Sequence, residues 1–253
     1  MAEPVARPRI IPVMGVEGDE SRLVKTVKFK KPNYLGDPIN AIRIFNEKMV
    51  DELLVVDICA SRENREPNYD LIYQMASECF SPLGYGGGVT SFEHARKIFG
   101  LGVENIVLNP AVESKPQLVT QLAEAFGSQS IVVSVDAKKK LLGGQRVAFK
   151  SGTKISGISV VDFACEMERL GAGELIVQDV DRDGTFEGLN RTLLAEVAKA
   201  VNIPVVGCGG ASSVEDMVET ITETGISAAA AGSIFSYRQR DTRSILINYP
   251  TEF

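Results

Sequence analysis

Leu53-Leu54-Val55-Val56-Asp57 and Leu175-Ile176-Val177-Gln178-Asp179 are one strand written twice, each a short apolar run closed by an aspartate. Paired glycines follow each run, Gly87-Gly88 after the first and Gly209-Gly210 after the second. The spacing from 57 to 179 is 122 residues, and so is the spacing from 87 to 209. Gly88-Val89-Thr90-Ser91-Phe92-Glu93 answers to Gly210-Ala211-Ser212-Ser213-Val214-Glu215. A repeat of about half the chain, built of alternating strands and helices, predicts an α/β fold: a (β/α)8 TIM barrel made of two half-barrels. It also puts polar residues at strand ends, where such a barrel holds its site.

Working outward, the 253 residues suit one barrel domain spanning 1–253, since such barrels run to about 250 residues. The hydrophobic share of 44% and charged share of 24% are those of an ordinary core with a charged skin. A net charge of −6 argues against nucleic acid as a partner. It leaves room for a phosphorylated small molecule, because backbone amides bind phosphate without net positive charge. Cys59, Cys79, Cys165 and Cys208 form no CxxC pair and read as buried, reduced thiols. No apolar run approaches the roughly 20 residues of a membrane span, and no signal-peptide core opens the chain. The expected location is the cytoplasm.

Strand one is expected over 9–14, and strands two to five over 53–57, 82–86, 105–108 and 130–135. Strands six to eight fall at 174–178, 203–207 and 227–231. Asp37 and Pro38 suit a helix cap and first turn. Thr90 and Glu93 have capping-box spacing at the start of the third helix. Helices are expected over roughly 160–170, 189–201 and 213–224, and 137–157 reads as a hairpin excursion beyond strand five.

Gly87-Gly88, Gly209-Gly210 and Gly232-Ser233 each lie between a strand and a helix start. A tight turn needing positive φ explains any single pair; their recurrence in both halves points to phosphate. Asp57, Asp136, Asp179, Asp181 and Asp183 gather at strand ends. Asp136 ends an apolar strand and reads as functional. Asp181 and Asp183 read equally as site carboxylates or as caps and partners of Arg182. Lys25, with Lys28, Lys30 and Lys31 behind it, reads either as a loop over an anionic ligand or as a solvated loop. The lone His94 is given no role.

Arg9-Ile10-Ile11-Pro12, Leu23-Val24-Lys25, Gly36-Asp37-Pro38, Asp51-Glu52-Leu53, Gly86-Gly87-Gly88, Phe126-Gly127-Ser128-Gln129, Val135-Asp136-Ala137-Lys138, Gly171-Ala172-Gly173-Glu174, Asp181-Arg182-Asp183-Gly184-Thr185 and Gly209-Gly210 run in register with a known family. Over nearly its whole length the chain resembles the cyclase subunit of imidazole glycerol phosphate synthase. The resemblance implies a (β/α)8 barrel with a glutaminase docked at its strand-start face. Ammonia would pass up the barrel to attack a ribulosyl nucleotide bound at the opposite end. It implies catalytic roles for Asp136 and Lys25. It implies substrate and phosphate contacts at Gly87, Gly88, Asn109, Asp179, Asp183, Gly184, Gly209, Gly210, Gly232 and Ser233. It implies an ammonia gate of Arg9, Glu52, Asn105 and Glu174, and neither metal nor cofactor.

Three departures stand out. Gly15 occupies the place of the family's strand-one aspartate, leaving Glu17 and Asp19 as neighbouring substitutes. Pro110 replaces a hydroxyl residue in one of the two phosphate sites, and Asn105 replaces the lysine of the gate, which should loosen the ring. These favour a specialised paralogue in a glutamine-dependent amidotransferase system. It would receive ammonia from the glutaminase and conduct it, alongside a sugar amidotransferase, for amidation of a sugar in surface-polysaccharide biosynthesis. The alternatives are a true histidine-biosynthesis cyclase, a non-catalytic activator of the glutaminase, and a sugar-phosphate isomerase of the sister barrel family.

Overall fold

The computed structural model describes residues 7–140, 143–238 and 242–250. Eight parallel strands form its centre: β1 (Arg9–Glu17), β2 (Leu53–Asp57), β3 (Leu83–Gly86), β4 (Asn105–Leu108), β5 (Ile131–Lys139), β6 (Glu174–Asp179), β7 (Val205–Cys208) and β8 (Ala228–Ala231). Each hydrogen-bonds to the next, and β8 returns to β1 in the register Arg9↔Ala228 to Pro12↔Ala231. The sheet is thus closed, a (β/α)8 TIM barrel with no free edge in the ring.

The pleat sends alternate side chains to opposite faces, and both faces are apolar. Ile11, Leu54, Val107, Val132, Ile176, Val206 and Ala228 fill the lumen. Their neighbours Ile10, Val55, Ile106, Val133, Leu175, Val205 and Ala229 pack outward under the helices. β8 is four alanines, and at Gly86 a side chain would come within 3.1 Å of Val107. Small residues on β3 and β8 thus face the larger Leu54, Val107, Val132 and Ile176 across the packed interior.

Local chemistry starts and stops the helices as expected at most positions. Asp37 accepts a hydrogen bond from the Asn40 amide at 2.9 Å and opens Pro38–Glu47. Ser213 caps Val214–Thr224, which ends on left-handed Gly225. The third of the expected helices, Phe92–Gly100, is capped by Ser91 rather than by a Thr90–Glu93 box; Glu93 instead pairs with Arg96. Helices Tyr69–Glu78 and Gln117–Phe126, which the sequence reading passed over, bury Leu71, Ile72, Met75 and Leu118, Val119, Leu122 at helical spacing.

β1 and β5 extend past the barrel rim because their ends pair with hairpins. Arg22–Lys25 and Asn33–Gly36 form the first, with Gly15 opposite Val24. The sequence alone predicts a plain loop here; the hairpin forms because Arg22–Val24 pair with Gly15–Glu17 of β1. The expected excursion beyond strand five is Gln145–Phe149 and Lys154–Ser159, with Ala137 opposite Val147. Residues 141–142 of that excursion lie outside the described residues. Among the described residues no helix is long and apolar enough to cross a membrane, and all four cysteines are free thiols, but only Cys59 and Cys208 are buried: Cys79 is half-buried and Cys165 is exposed.

A candidate anion pocket at the strand ends

The repeated aspartates build loops. Asp57 accepts the Cys59 and Ala60 amides, both at 3.0 Å, and holds Arg65 at 3.2 Å. Asp179 accepts the Asp181 amide at 3.0 Å and the Asn190 side-chain amide at 2.7 Å. Gly87 and Gly209, both at positive φ, sit against them: a Cβ on Gly209 would meet the Asp179 carbonyl oxygen at 2.5 Å, and one on Gly87 the Asp57 carbonyl oxygen closer still. Asp179, assigned above to substrate, is consumed by this turn and does not line the pocket. Its repeat partner Asp57 makes the same kind of turn and does reach the pocket, so the two halves differ here. Burial raises its carboxyl, against the lowering by Asn190 and the Arg182 amide. Asp181 is similarly structural, accepting the Lys139 amide at 2.9 Å.

A pocket opens over the C-terminal strand ends and brings together Gly15, Lys25, Gly87, Gly88, Asn109, Asp136, Asp183, Gly184, Gly209, Gly210, Gly232 and Ser233. Asp136 is buried, and burial pushes its carboxyl up to about 7; the Asn109 amide opposes the rise and Asp183 adds to it. That places a proton donor and acceptor at working pH. Lys25 donates to Asp183 at 2.8 Å. Burial alone would lower the Lys25 ammonium, but Asp183 holds it above the ordinary lysine value. Thr26 and Gln178 also donate to Asp183, each at 3.4 Å.

Ser134, Gln178 and Cys208 line the floor and escaped the sequence reading. The signal was there: each stands two residues beyond a lumen residue, Val132, Ile176 and Val206. Burial pushes the Cys208 thiol up to about 12, so it is a neutral wall rather than a nucleophile. His94, given no role above, has its Nδ1 3.0 Å from the Gly88 carbonyl oxygen and braces that turn.

Gly15 lies at the rim with no room for a replacement carboxylate. A Cβ there would meet the Val24 carbonyl oxygen of the first hairpin at 2.9 Å. Glu17 and Asp19 do not substitute for it. Glu17 is held by Arg22 at 2.6 Å and Asp19 by Arg65 at 3.0 Å, and neither lines the pocket.

The two ends of the pocket differ. At the β7–β8 end the Ser233 hydroxyl is buried beside Gly209, Gly210 and Gly232 and, among the described residues, has no hydrogen-bond partner. A buried orphan donor among glycines suits an anion. At the β3–β4 end Pro110 has neither N–H nor hydroxyl, and the Gly88 amide donates to Ser61 Oγ at 3.2 Å.

At the opposite mouth Arg9 donates to Glu52 at 2.7 Å and also grips Glu174. One guanidinium on β1 thus bridges the carboxylate just before the adjacent β2 and the one that opens β6, which is not a neighbour of β1, an ion-paired clamp where a loosened ring was expected. Burial raises the Glu52 carboxyl, and Arg9 opposes this. Asn105 stands apart from the clamp, its side-chain amide 3.2 Å from the carbonyl oxygens of Glu104 and Gln129.

A closed (β/α)8 barrel with a repeated glycine turn after β3 and β7 and a pocket over its C-terminal strand ends is the class that the fold and site define. The chain belongs to the histidine biosynthesis protein family, matched over residues 9–241. It is 47% identical to the "Putative imidazole glycerol phosphate synthase subunit hisF2" of Pseudomonas aeruginosa, over 97% of each chain. It is 43% identical to the similarly named hisF3 of Vibrio vulnificus, over 97% of this chain and 94% of that one. It is 42% identical to the similarly named HisF of Leptospira interrogans, over 96% and 95%. The chain is a HisF-like barrel.

Proposed function

We propose that this chain is the barrel subunit of a glutamine-dependent amidotransferase system. It receives ammonia from a glutaminase docked at the strand-start face and conducts it for amidation of a sugar in surface-polysaccharide biosynthesis, in the cytoplasm. The observation that carries this reading is Gly15, whose place is closed off by the Val24 carbonyl oxygen while the clamp below remains. A cyclase that works by an opposed acid and base loses half of that pair, at a cost of about 10²–10⁴-fold in rate. A conduit loses nothing. It needs an entry that excludes water, which the Arg9 clamp supplies, and a small apolar lumen for a neutral molecule, which Ile11, Leu54, Val132 and the β8 alanines supply.

The remaining pocket residues then hold an acceptor. The Gly209-Gly210 and Gly232-Ser233 end binds a phosphorylated group, and Asp136, titrating near 7, handles a proton. A second reading, the imidazole glycerol phosphate synthase cyclase, draws support from Asp136 and from the names of the relatives.

The test supplies the ribulosyl intermediate and an ammonium salt to the barrel alone. Little or no imidazole glycerol phosphate is expected. In a reconstitution with the cognate glutaminase and sugar amidotransferase, glutamine-dependent amidation should require the barrel. Turnover like that of ordinary cyclases sinks the proposal.

A further inference from the structure

We propose that Arg62 is a substrate-specificity residue, reading an anionic group of the substrate at the β3–β4 end of the pocket in place of donors that end has lost. The inference rests on the pocket being the acceptor site of the reading above, but not on ammonia conduction.

The half-barrel repeat lets one end be judged against the other. Val107 and Ala230 are both lumen residues, so Asn109-Pro110 answers to Gly232-Ser233. Where one half has the orphan Ser233 hydroxyl, the other has Pro110, with no donor. The Gly88 amide is already satisfied by Ser61, and the Asn109 amide is engaged with Asp136. This end can no longer hold an anion chiefly on its turn.

The cationic side chains lining the pocket are Lys25, Lys30 and Arg62. Lys25 is committed to Asp183. Arg62 follows Ser61 directly, and so stands beside the Gly88 turn. At the 122-residue offset its counterpart is Gly184, which lines the pocket in the other half. The neighbouring arginines are neutralised: Arg65 by Asp57, Asp19 and Glu63, and Arg22 by Glu17 and Glu20. Among the described residues Arg62 has no such ion pair, and its guanidinium donates only to the Cys59 sulfur at 3.2 Å. A thiol is a weak acceptor that an anion readily displaces. A free guanidinium offers a planar fork matched to phosphate or carboxylate oxygens. The ligand is therefore held unequally, on backbone and hydroxyl at one end and on an arginine at the other.

The experiment titrates inorganic phosphate into the full-length protein and its Arg62→Ala, Arg62→Lys and Ser233→Ala variants, followed by calorimetry and phosphorus NMR. Wild type should show two sites. Arg62→Ala should weaken one of them about 10- to 100-fold, the range for a lost charge-assisted hydrogen-bonded pair, and leave the other unchanged. Arg62→Lys should recover part of the loss, and Ser233→Ala should weaken the other site. Arg62 is exposed, so its variants should melt with wild type. Acetate in place of phosphate separates the two anion chemistries: competition at the Arg62 end in wild type, absent in Arg62→Ala, assigns a carboxylate, and no competition assigns a phosphate. An Arg62→Ala titration identical to wild type overturns this inference alone. No phosphate at either end overturns the pocket reading with it.

Discussion

Replacing Asp136 by Asn tests how much stability the barrel gives up to keep an acid in its pocket. Burial moves the Asp136 carboxyl from 3.8 to about 7. At 1.36 kcal/mol per pH unit, that shift corresponds to about 4 kcal/mol of destabilisation at alkaline pH, and to roughly 2–4 kcal/mol after relaxation of the surroundings. The folded value is raised, so the contribution to stability is fully present below the unfolded value of about 4 and is lost as pH rises through about 7. Asn is nearly isosteric, can still meet the Asn109 amide, and does not ionise. Urea unfolding of wild type and Asp136→Asn at pH 5, 6, 7 and 8.5 should therefore show a stability difference that grows in the variant's favour by up to about 1.4 kcal/mol per unit to pH 7 and then levels. The variant should also lose whatever proton transfer the pocket performs. Parallel pH dependences for the two proteins, or a variant less stable at pH 8.5, would refute the assignment of a buried, near-neutral carboxylic acid.

Two further perturbations probe the scaffold and the lower mouth. Gly209→Ala forces a Cβ to 2.5 Å from the Asp179 carbonyl oxygen at positive φ, and should cost about 2–4 kcal/mol by urea unfolding, with weaker phosphate binding at the β7–β8 end; an unaltered midpoint would contradict the tight turn. Arg9→Ala leaves the half-buried Glu52 and the buried Glu174 without their shared cation, and should cost about 1–4 kcal/mol at pH 8. Without Arg9 the Glu52 carboxyl rises further, so its stabilising contribution is retained at low pH and lost as pH rises; the deficit should shrink towards pH 5. The same variant should release bulk water into the lumen and uncouple glutamine hydrolysis from amidation, and a coupled complex with Arg9→Ala would argue that the clamp only adds stability.

Much of this molecule was legible in its amino-acid order. The 122-residue echo between the Asp57 and Asp179 runs predicts two half-barrels, because a strand that must be buried on both faces leaves an uninterrupted apolar signature. The glycines at 87, 88, 209, 210 and 232 are legible for a steric reason, since their turns leave no space for a side chain. That same double burial hides what the sequence alone does not decide. With Leu, Ile and Val on both faces, alternation vanishes, and nothing in the run 175–179 says whether Gln178 or Asp179 looks inward. Only the closed barrel sets that parity, turning Asp179 into a loop anchor and Gln178 into a pocket wall. Only tertiary contact lays the Val24 carbonyl oxygen over Gly15, ties Glu17 and Asp19 to arginines, and leaves Arg62 without a carboxylate among the described residues. Strand identity is a local property of side-chain packing, whereas the partner of a charge is settled by which distant segments the barrel brings within a few ångströms of it.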